Sequence, residues 1–289
     1  MGGTSKVTLG CSMLSFFDTH AHLDLEPFAD DFATVRQRLA NGKFPNGFSP
    51  PELESIDWTM RGVVLPGIDA SSSRRCVELA QSTNFLYAAV GIQPNSATAP
   101  QPDEWEKIGE LAHTSKVVGI GETGLDRYWN FVPFEIQLEL FQKHIELART
   151  TDKPILIHCR DAWDDMLPIL RKESSSNLTG LIHAFSGESK QALECVALGF
   201  FISFAGSVTY TNKKFVSLWE TAKIVPEERL LIETDAPYMV PHPFRGKLWR
   251  NEPSLVAAVA VRLAELRGVS VEQMATATTK NALRLFRLG

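Results

Sequence analysis

The feature that most limits what this chain can fold into is a repeated alternation. Eight short apolar runs, rich in β-branched and aromatic residues, begin near Phe16, Arg61, Leu86, Val117, Pro154, Gly180, Phe200 and Leu230. Helical patterns separate them, over roughly 28–40, 71–82, 103–113, 133–151, 162–172, 188–198 and 212–223. Two further helical stretches, 253–267 and 270–286, close the chain. Runs that are apolar throughout, rather than at every second residue, belong to strands covered on both faces, and alternation with helices makes the sheet parallel. Eight such βα units in 289 residues predict an α/β fold of the TIM (β/α)8 barrel type. One domain over 15–289 follows an N-terminal extension at 1–14, and a doubly wound open sheet is the alternative. The stretch 41–57, with Pro45, Pro50 and Pro51, predicts a long loop, either a lid over a site or a passive insertion.

Composition narrows the function. A net charge of −5 argues against a broad basic face that grips duplex DNA through its phosphates. It leaves room for an enzyme whose positive charge sits on metals in a cleft. Cys11, Cys76, Cys159 and Cys195 are far apart and lack C-x-x-C spacing, as expected of reduced thiols in the cytoplasm. No apolar run is long enough to span a membrane, and the first residues have neither the apolar stretch of a secretory signal nor, at Lys6, the hydroxyl of a myristoylation site.

In a barrel of this kind the active site lies where the strands end. The first run ends in His20-Ala-His22, and residues two apart on an extended segment point the same way. Glu122 ends the fourth run, His158 the fifth, His183 the sixth and Asp235 the eighth. Four of the chain's seven histidines thus reach one rim, together with two carboxylates. This donor set is large enough for two divalent ions (Mg, Mn or Zn), with positions left open for water and substrate. Two metals about 3.5–4 Å apart activate a water and stabilise the attacking and leaving oxygens of a phosphoryl displacement. Glu122 is expected to bridge them, and Asp235 to bind one and take the proton of the attacking water. Arg160, Arg245, Lys247 and Arg250 fall in rim segments and are candidates to hold phosphate, and Asn251 is a candidate helix cap or rim contact. His113 and His144 fall in helices and are expected to be surface or satisfied residues, and Trp105, Trp163 and Trp219 are expected to be barrel packing rather than base-stacking platforms. His242, between prolines, belongs to a loop beyond the eighth run.

The stretches FDTHAHLD, GIGETGLD, ILIHCRDA, LIHAFSG, LLIETDAPY and RNEP resemble the TatD family of metal-dependent deoxyribonucleases over about 16–286. The resemblance implies a metal-dependent hydrolase on a TIM barrel. It also implies His20, His22, Glu122, His158, His183 and Asp235 as metal ligands and DNA, single-stranded or at its ends, as substrate, with several members acting as 3′→5′ exonucleases. One motif departs. Where relatives commonly carry Gly-x-His-Pro-His, this chain has Gly91-Ile92-Gln93-Pro94-Asn95. Gln93 and Asn95 still hydrogen-bond, so they are kept as substrate contacts, yet neither can do acid–base work near neutral pH. The leading expectation is a deoxyribonuclease of the 3′→5′ exonuclease type, working by a metal-activated water, with a monomer favoured. The alternative is an amidohydrolase-like enzyme acting on an amide, ester or lactone, and a third reading is a binding protein without catalysis.

Overall fold

The computed structural model of the chain describes residues 13–96, 103–173 and 178–289. The expected extension at 1–14, with Cys11, therefore lies almost wholly outside the described residues. Eight parallel strands form one sheet in sequential order: β1 (Leu14–Asp18), β2 (Trp58–Pro66), β3 (Leu86–Val90), β4 (Val117–Asp126), β5 (Ile155–Arg160), β6 (Gly180–Ile182), β7 (Phe201–Phe204) and β8 (Leu230–Ile232). Around them lie α1 (Phe32–Ala40), α2 (Ala70–Gln81), α3 (Glu104–Leu111), α4 (Phe134–Thr150), α5 (Trp163–Glu173), α6 (Ser189–Ala197), α7 (Val216–Ile224), α8 (Val256–Arg267) and α9 (Val271–Leu285). This is the expected TIM-type barrel in a single domain, and the open-sheet alternative falls away.

The two faces of each strand do different work. Phe17, Val64, Ala89, Val118, Leu156, Leu181, Phe201 and Leu231, one per strand, pack into a single cluster that is the barrel interior. Their neighbours in sequence, such as Phe16, Val63 and Leu65, pack outward in the cluster shared with the helices. The lower end of the barrel is plugged by the chain's own C-terminal helix. Leu285 and Phe286 join the interior cluster, and the Phe286 ring stacks on Phe17 at 5.9 Å. Gly62 makes room for that Phe17 ring, since a Cβ there would lie 2.2 Å from it. With the bottom filled by hydrocarbon, only the upper end of the barrel is left for polar chemistry.

Some boundaries differ from the sequence reading. β2 starts three residues before Arg61, and β4 runs four residues past Glu122 to Asp126, because its upper half pairs with β5 as far as Arg160. β8 stops at Ile232, short of Asp235. The loop 41–57 contains one 3-10 turn, Pro51–Leu53, and packs Phe44 against Trp58 and Phe48 against Phe244; none of its residues lines the cleft beside His158, His183 and Asp235. Cys76, Cys159 and Cys195 are buried and unpaired. No helix among the described residues is long and apolar enough to cross a membrane.

His144, on α4, is fully buried as a structural residue. Its Nδ1–H donates to the Leu140 carbonyl at 2.6 Å, and its Nε2 accepts the Ile92 amide at 2.9 Å, fixing the chain at the exit of β3. Burial lowers its pKa to about 4. Between that value and the ordinary one near 6.5, the unfolded chain takes up a proton here and the folded chain does not, so acidification removes stability. We expect this residue alone to account for about 2 kcal/mol lost between pH 7 and pH 5. Urea unfolding of wild type and His144→Gln at both pH values checks this: the variant's profile should be flatter by that amount, and parallel profiles would refute it.

Candidate metal centre

The rim is built from backbone that continues past the strands. Beyond β1 the chain stays extended between β8 and β2: Thr19 N–H donates to Ile232 O, Ala21 N–H to Val64 O and His22 N–H to Ala236 O. His20 and His22 therefore face the same way, and their Nε2 atoms approach to 3.2 Å. Glu122 sits where β4 is irregular. The register with β5 shifts between Ile120 and Thr123, and Gly121 and Gly124 take φ of +139° and +135°, a region open essentially to glycine alone. Asp235, beyond β8, has φ +54°, which a short acidic side chain tolerates, and its N–H donates to the His20 carbonyl at 2.9 Å.

The structure brings all six expected ligand residues together, and Glu122 divides them into two sets. Its Oε2 lies 3.2 Å from His20 Nε2 and 3.6 Å from His22 Nε2, while Asp235 Oδ1 lies 3.8 and 3.7 Å from those same nitrogens. Its Oε1 lies 3.2 Å from His158 Nδ1 and 3.3 Å from His183 Nε2, which are themselves 3.2 Å apart. Donors about 2.0–2.1 Å from a tetrahedral zinc ion stand about 3.4 Å from one another. Both sets have that spacing, and each is composed of imidazole and carboxylate donors with few hydrogens to share among them. The residues therefore fit divalent cations.

The electrostatics agree. Burial works to raise the Glu122 pKa, but His183, His158 and His20 outweigh it and hold it well below the carboxylate range. Burial lowers the basicity of His183, but Glu122 and Glu233 outweigh it and raise that pKa well above normal. His158 is raised in the same way, through Asp126 and Glu122. Burial, with the charge of His183, takes His20 down to about 4, and burial lifts Asp235 to about 6.

Two carboxylates beyond the expected set orient the second pair of histidines. Glu233 Oε1 faces His183 Nδ1 at 3.2 Å and accepts the Ala184 amide at 2.6 Å. Asp126 Oδ2 faces His158 Nε2 at 2.9 Å. Such partners fix which ring nitrogen is presented to a metal and raise its basicity. Beneath them a polar layer separates the centre from the apolar interior: Thr19 Oγ1 lies 3.0 Å from Ser203 Oγ and 3.4 Å from Glu233. Asp18, fully buried, accepts from Thr234 N and Oγ1 and so joins the ends of β1 and β8. Neither Glu233 nor Asp126 follows from two-residue alternation in the sequence, because the backbone leaves the regular extended form at Asp235 (φ +54°) and at Gly124 (φ +135°).

The other expected contacts are placed as follows. Arg160 is exposed and lines a cleft of about 680 Å³ together with His158, His183, Asp235 and Lys214. Asn95 donates to Asp126 at 2.8 Å, and Gln93 Oε1 accepts the Asn95 amide at 2.7 Å, so this pair braces the carboxylate that orients His158. Asn251 is not a rim contact. It is fully buried, its amide donates to the carbonyls of Thr234 and Met239, and its Oδ1 accepts the Glu252 amide. Arg250 is likewise unavailable to phosphate, being buried and bound to Pro27, Asp31 and Glu252. Arg245 is exposed over the Tyr210 ring, and Lys247 and His242 are exposed beyond β8. Trp163 packs on Phe185, Trp105 on His144, and Trp219 donates to Val208 O.

Comparison with known proteins gives a consistent picture. The sequence model of the family described as TatD related DNase matches residues 17–287. An uncharacterized metal-dependent hydrolase of Bacillus subtilis, YabD, is 40% identical over 94% of this chain and 99% of its own length. The protein named 3′-5′ ssDNA/RNA exonuclease TatD of Citrobacter rodentium is 33% identical over 78% of this chain and 87% of its own. Among solved structures, YJJV of Escherichia coli K12, a TatD homologue, superposes with a TM-score of 0.82 at 29% identity, covering 95% of this chain and 98% of that one.

Because Glu122 serves both donor sets, Glu122→Ala should lose more bound metal than loss of any residue that faces a single set. Metal analysis after dialysis against Zn²⁺ or Mn²⁺ checks this, with His22→Ala as the single-set comparison. Saturating metal should also raise wild-type unfolding free energy, by about 3 kcal/mol at a hundredfold excess over the dissociation constant, and raise that of Glu122→Ala far less. Equal metal content in the two variants would refute the shared role.

Proposed function

The chain belongs to the family of TatD-related DNases and is a metal-dependent hydrolase, and from that premise we propose that it is a 3′→5′ exonuclease on single-stranded DNA that uses two divalent ions. The observation that carries this reading is the Glu122 carboxylate, with one oxygen toward each histidine pair, beneath a cleft lined by the cations of Arg160 and Lys214. The name of the Citrobacter relative supports the polarity and the single strand.

When bound, the metals would supply Lewis acidity toward a phosphodiester and its attacking water. The chain's residues supply the rest. Asp235, which faces the first histidine pair and lines the cleft, would take the proton of that water. Glu233 and Asp126 keep His183 and His158 in fixed orientations, so that donors need not rearrange as charge develops. Arg160 has no carboxylate partner among the described residues and is free to face a phosphate. Three buried thiols without partners accord with work in the cytoplasm, and we take the enzyme as a monomer.

End-labelled single-stranded DNA, incubated with Mg²⁺, Mn²⁺ or Zn²⁺ and with EDTA as control, tests the proposal. We expect a metal-dependent ladder that shortens from the 3′ end, and a rate roughly 10²–10⁴-fold lower for Asp235→Asn. Intact DNA under every metal, with metal bound, would reject the nuclease and turn the search to esters, lactones and amides.

A further inference from the structure

Between β4 and α4 the chain leaves three aromatic side chains in solvent. Tyr128 is 53% exposed, Trp129 42% and Phe131 58%. On a chain that buries most of its large apolar groups, three exposed rings within four residues form a patch rather than scattered surface. The rings are arranged. Trp129 and Phe131 are parallel, 12° apart in plane with centroids at 5.2 Å, and Tyr128 stands edge-on to Trp129 at 4.8 Å. The Arg160 guanidinium lies over the Tyr128 ring at 3.9 Å and within 5.9 Å of Trp129. A surface pocket of about 570 Å³ runs along the same segment, lined by Trp129, Asn130, Phe131 and Pro133.

What gives the patch meaning is how it is held. The backbone amides of Tyr128 and Trp129 both donate to Asp126 Oδ1, at 2.8 and 2.9 Å. The other oxygen of the same carboxylate faces His158 Nε2 at 2.9 Å and accepts from Asn95. Both oxygens of the Asp126 carboxylate are thus engaged, Oδ1 by the two loop amides and Oδ2 by Asn95 and the His158 ring. One fixed charge therefore sets the position of a metal-facing imidazole and of the aromatic segment. Arg160 adds to this, because it lies two residues beyond His158 on β5 and so points to the same side.

We propose that Tyr128, Trp129 and Phe131 form a shelf on which unpaired bases of the substrate strand stack beside the metal centre, with Arg160 meeting the adjoining phosphate. This rests on the nuclease reading above and extends it to the part of the nucleotide that reaction at phosphorus does not require. Flat, exposed rings beside a cation without a carboxylate partner match a base next to a phosphate, and a paired base has no free face to offer. Asp126 is a positioning residue here, coupling shelf and centre.

The test compares a fluorescent single strand of about ten nucleotides with an abasic strand of equal length and phosphate number, by anisotropy with metal chelated. Wild type should bind the intact strand about five- to a hundredfold more tightly, as stacking of one base implies. Trp129→Ala should bring that ratio toward one, while Trp129→Phe should keep most of it. The side chains are exposed, so folding is checked by the unfolding midpoint, and Phe131→Ala provides a second variant expected to lower the ratio. Equal wild-type binding of both strands, or an unchanged ratio in Trp129→Ala and Phe131→Ala, would overturn the shelf. Cleavage of single-stranded DNA with a wild-type ratio of one would sink the shelf and leave the nuclease standing. A base-dependent ratio without cleavage under any metal would support the shelf and sink the nuclease.

Discussion

Everything at the upper end of this barrel depends on one constraint, the burial of carboxylates and imidazoles within hydrogen-bond distance of one another. Taking an ion out of water costs several kcal/mol even after relaxation, and that cost is recovered only where its partners are correctly placed. Here Glu122 meets four histidines and Asp235 meets two of them. Glu233 and Asp126 add two more negative charges behind His183 and His158. A cluster of that composition is stable only with cations supplied, by protons on the imidazoles or by metal. The raised basicity of His158 and His183 is the proton form of the same demand.

The barrel is organised to meet this constraint at one end and to keep it from the other. The interior layer of eight apolar side chains and the plug of Leu285 and Phe286 exclude water from below. Thr19, Ser203 and Glu233 form the transition, each hydroxyl satisfied by a neighbour. The seam between β8 and β1 is closed just beyond the strands by backbone bonds from Thr19 to Ile232, His22 to Ala236 and Asp235 to His20, and by Asp18 holding Thr234. The residues that close the barrel thus flank His20, His22 and Asp235. Fold closure and site geometry are one set of contacts, and the register shift between β4 and β5 falls at the strand that supplies the shared ligand.

How much of this was legible in the sequence follows from the range of each signal. The eight apolar runs gave the barrel, because burial on both faces leaves a mark residue by residue. The rim histidines were legible for the same reason, since a strand end can be read locally. Asn251 and Arg250 were misjudged because burial of a polar side chain depends on partners far away in sequence, here Thr234 for one and Asp31 for the other. The direction of the 41–57 segment was equally illegible, because its anchors, Phe48 on Phe244 and Phe44 on Trp58, are tertiary. Glu233 and Asp126 carried no such local signal, because the backbone between each and its neighbouring ligand departs from the regular strand at Asp235 and Gly124. The shelf at Tyr128 had no periodic signal at all, since exposed rings in a loop follow no pattern.

The replaced motif after β3 acquires a physical sense from the same carboxylate. Asp126 must accept from every neighbour while His158 stays oriented, so the residue at position 95 has to donate at all relevant pH values. The Asn95 amide does so without titrating. Gln93 completes the arrangement by accepting the Asn95 backbone amide, and His144 holds the preceding Ile92 from behind. In this chain the segment has become a fixed brace. On the proposed reading the proton of the attacking water would then pass to Asp235, which faces the first histidine pair and lines the cleft.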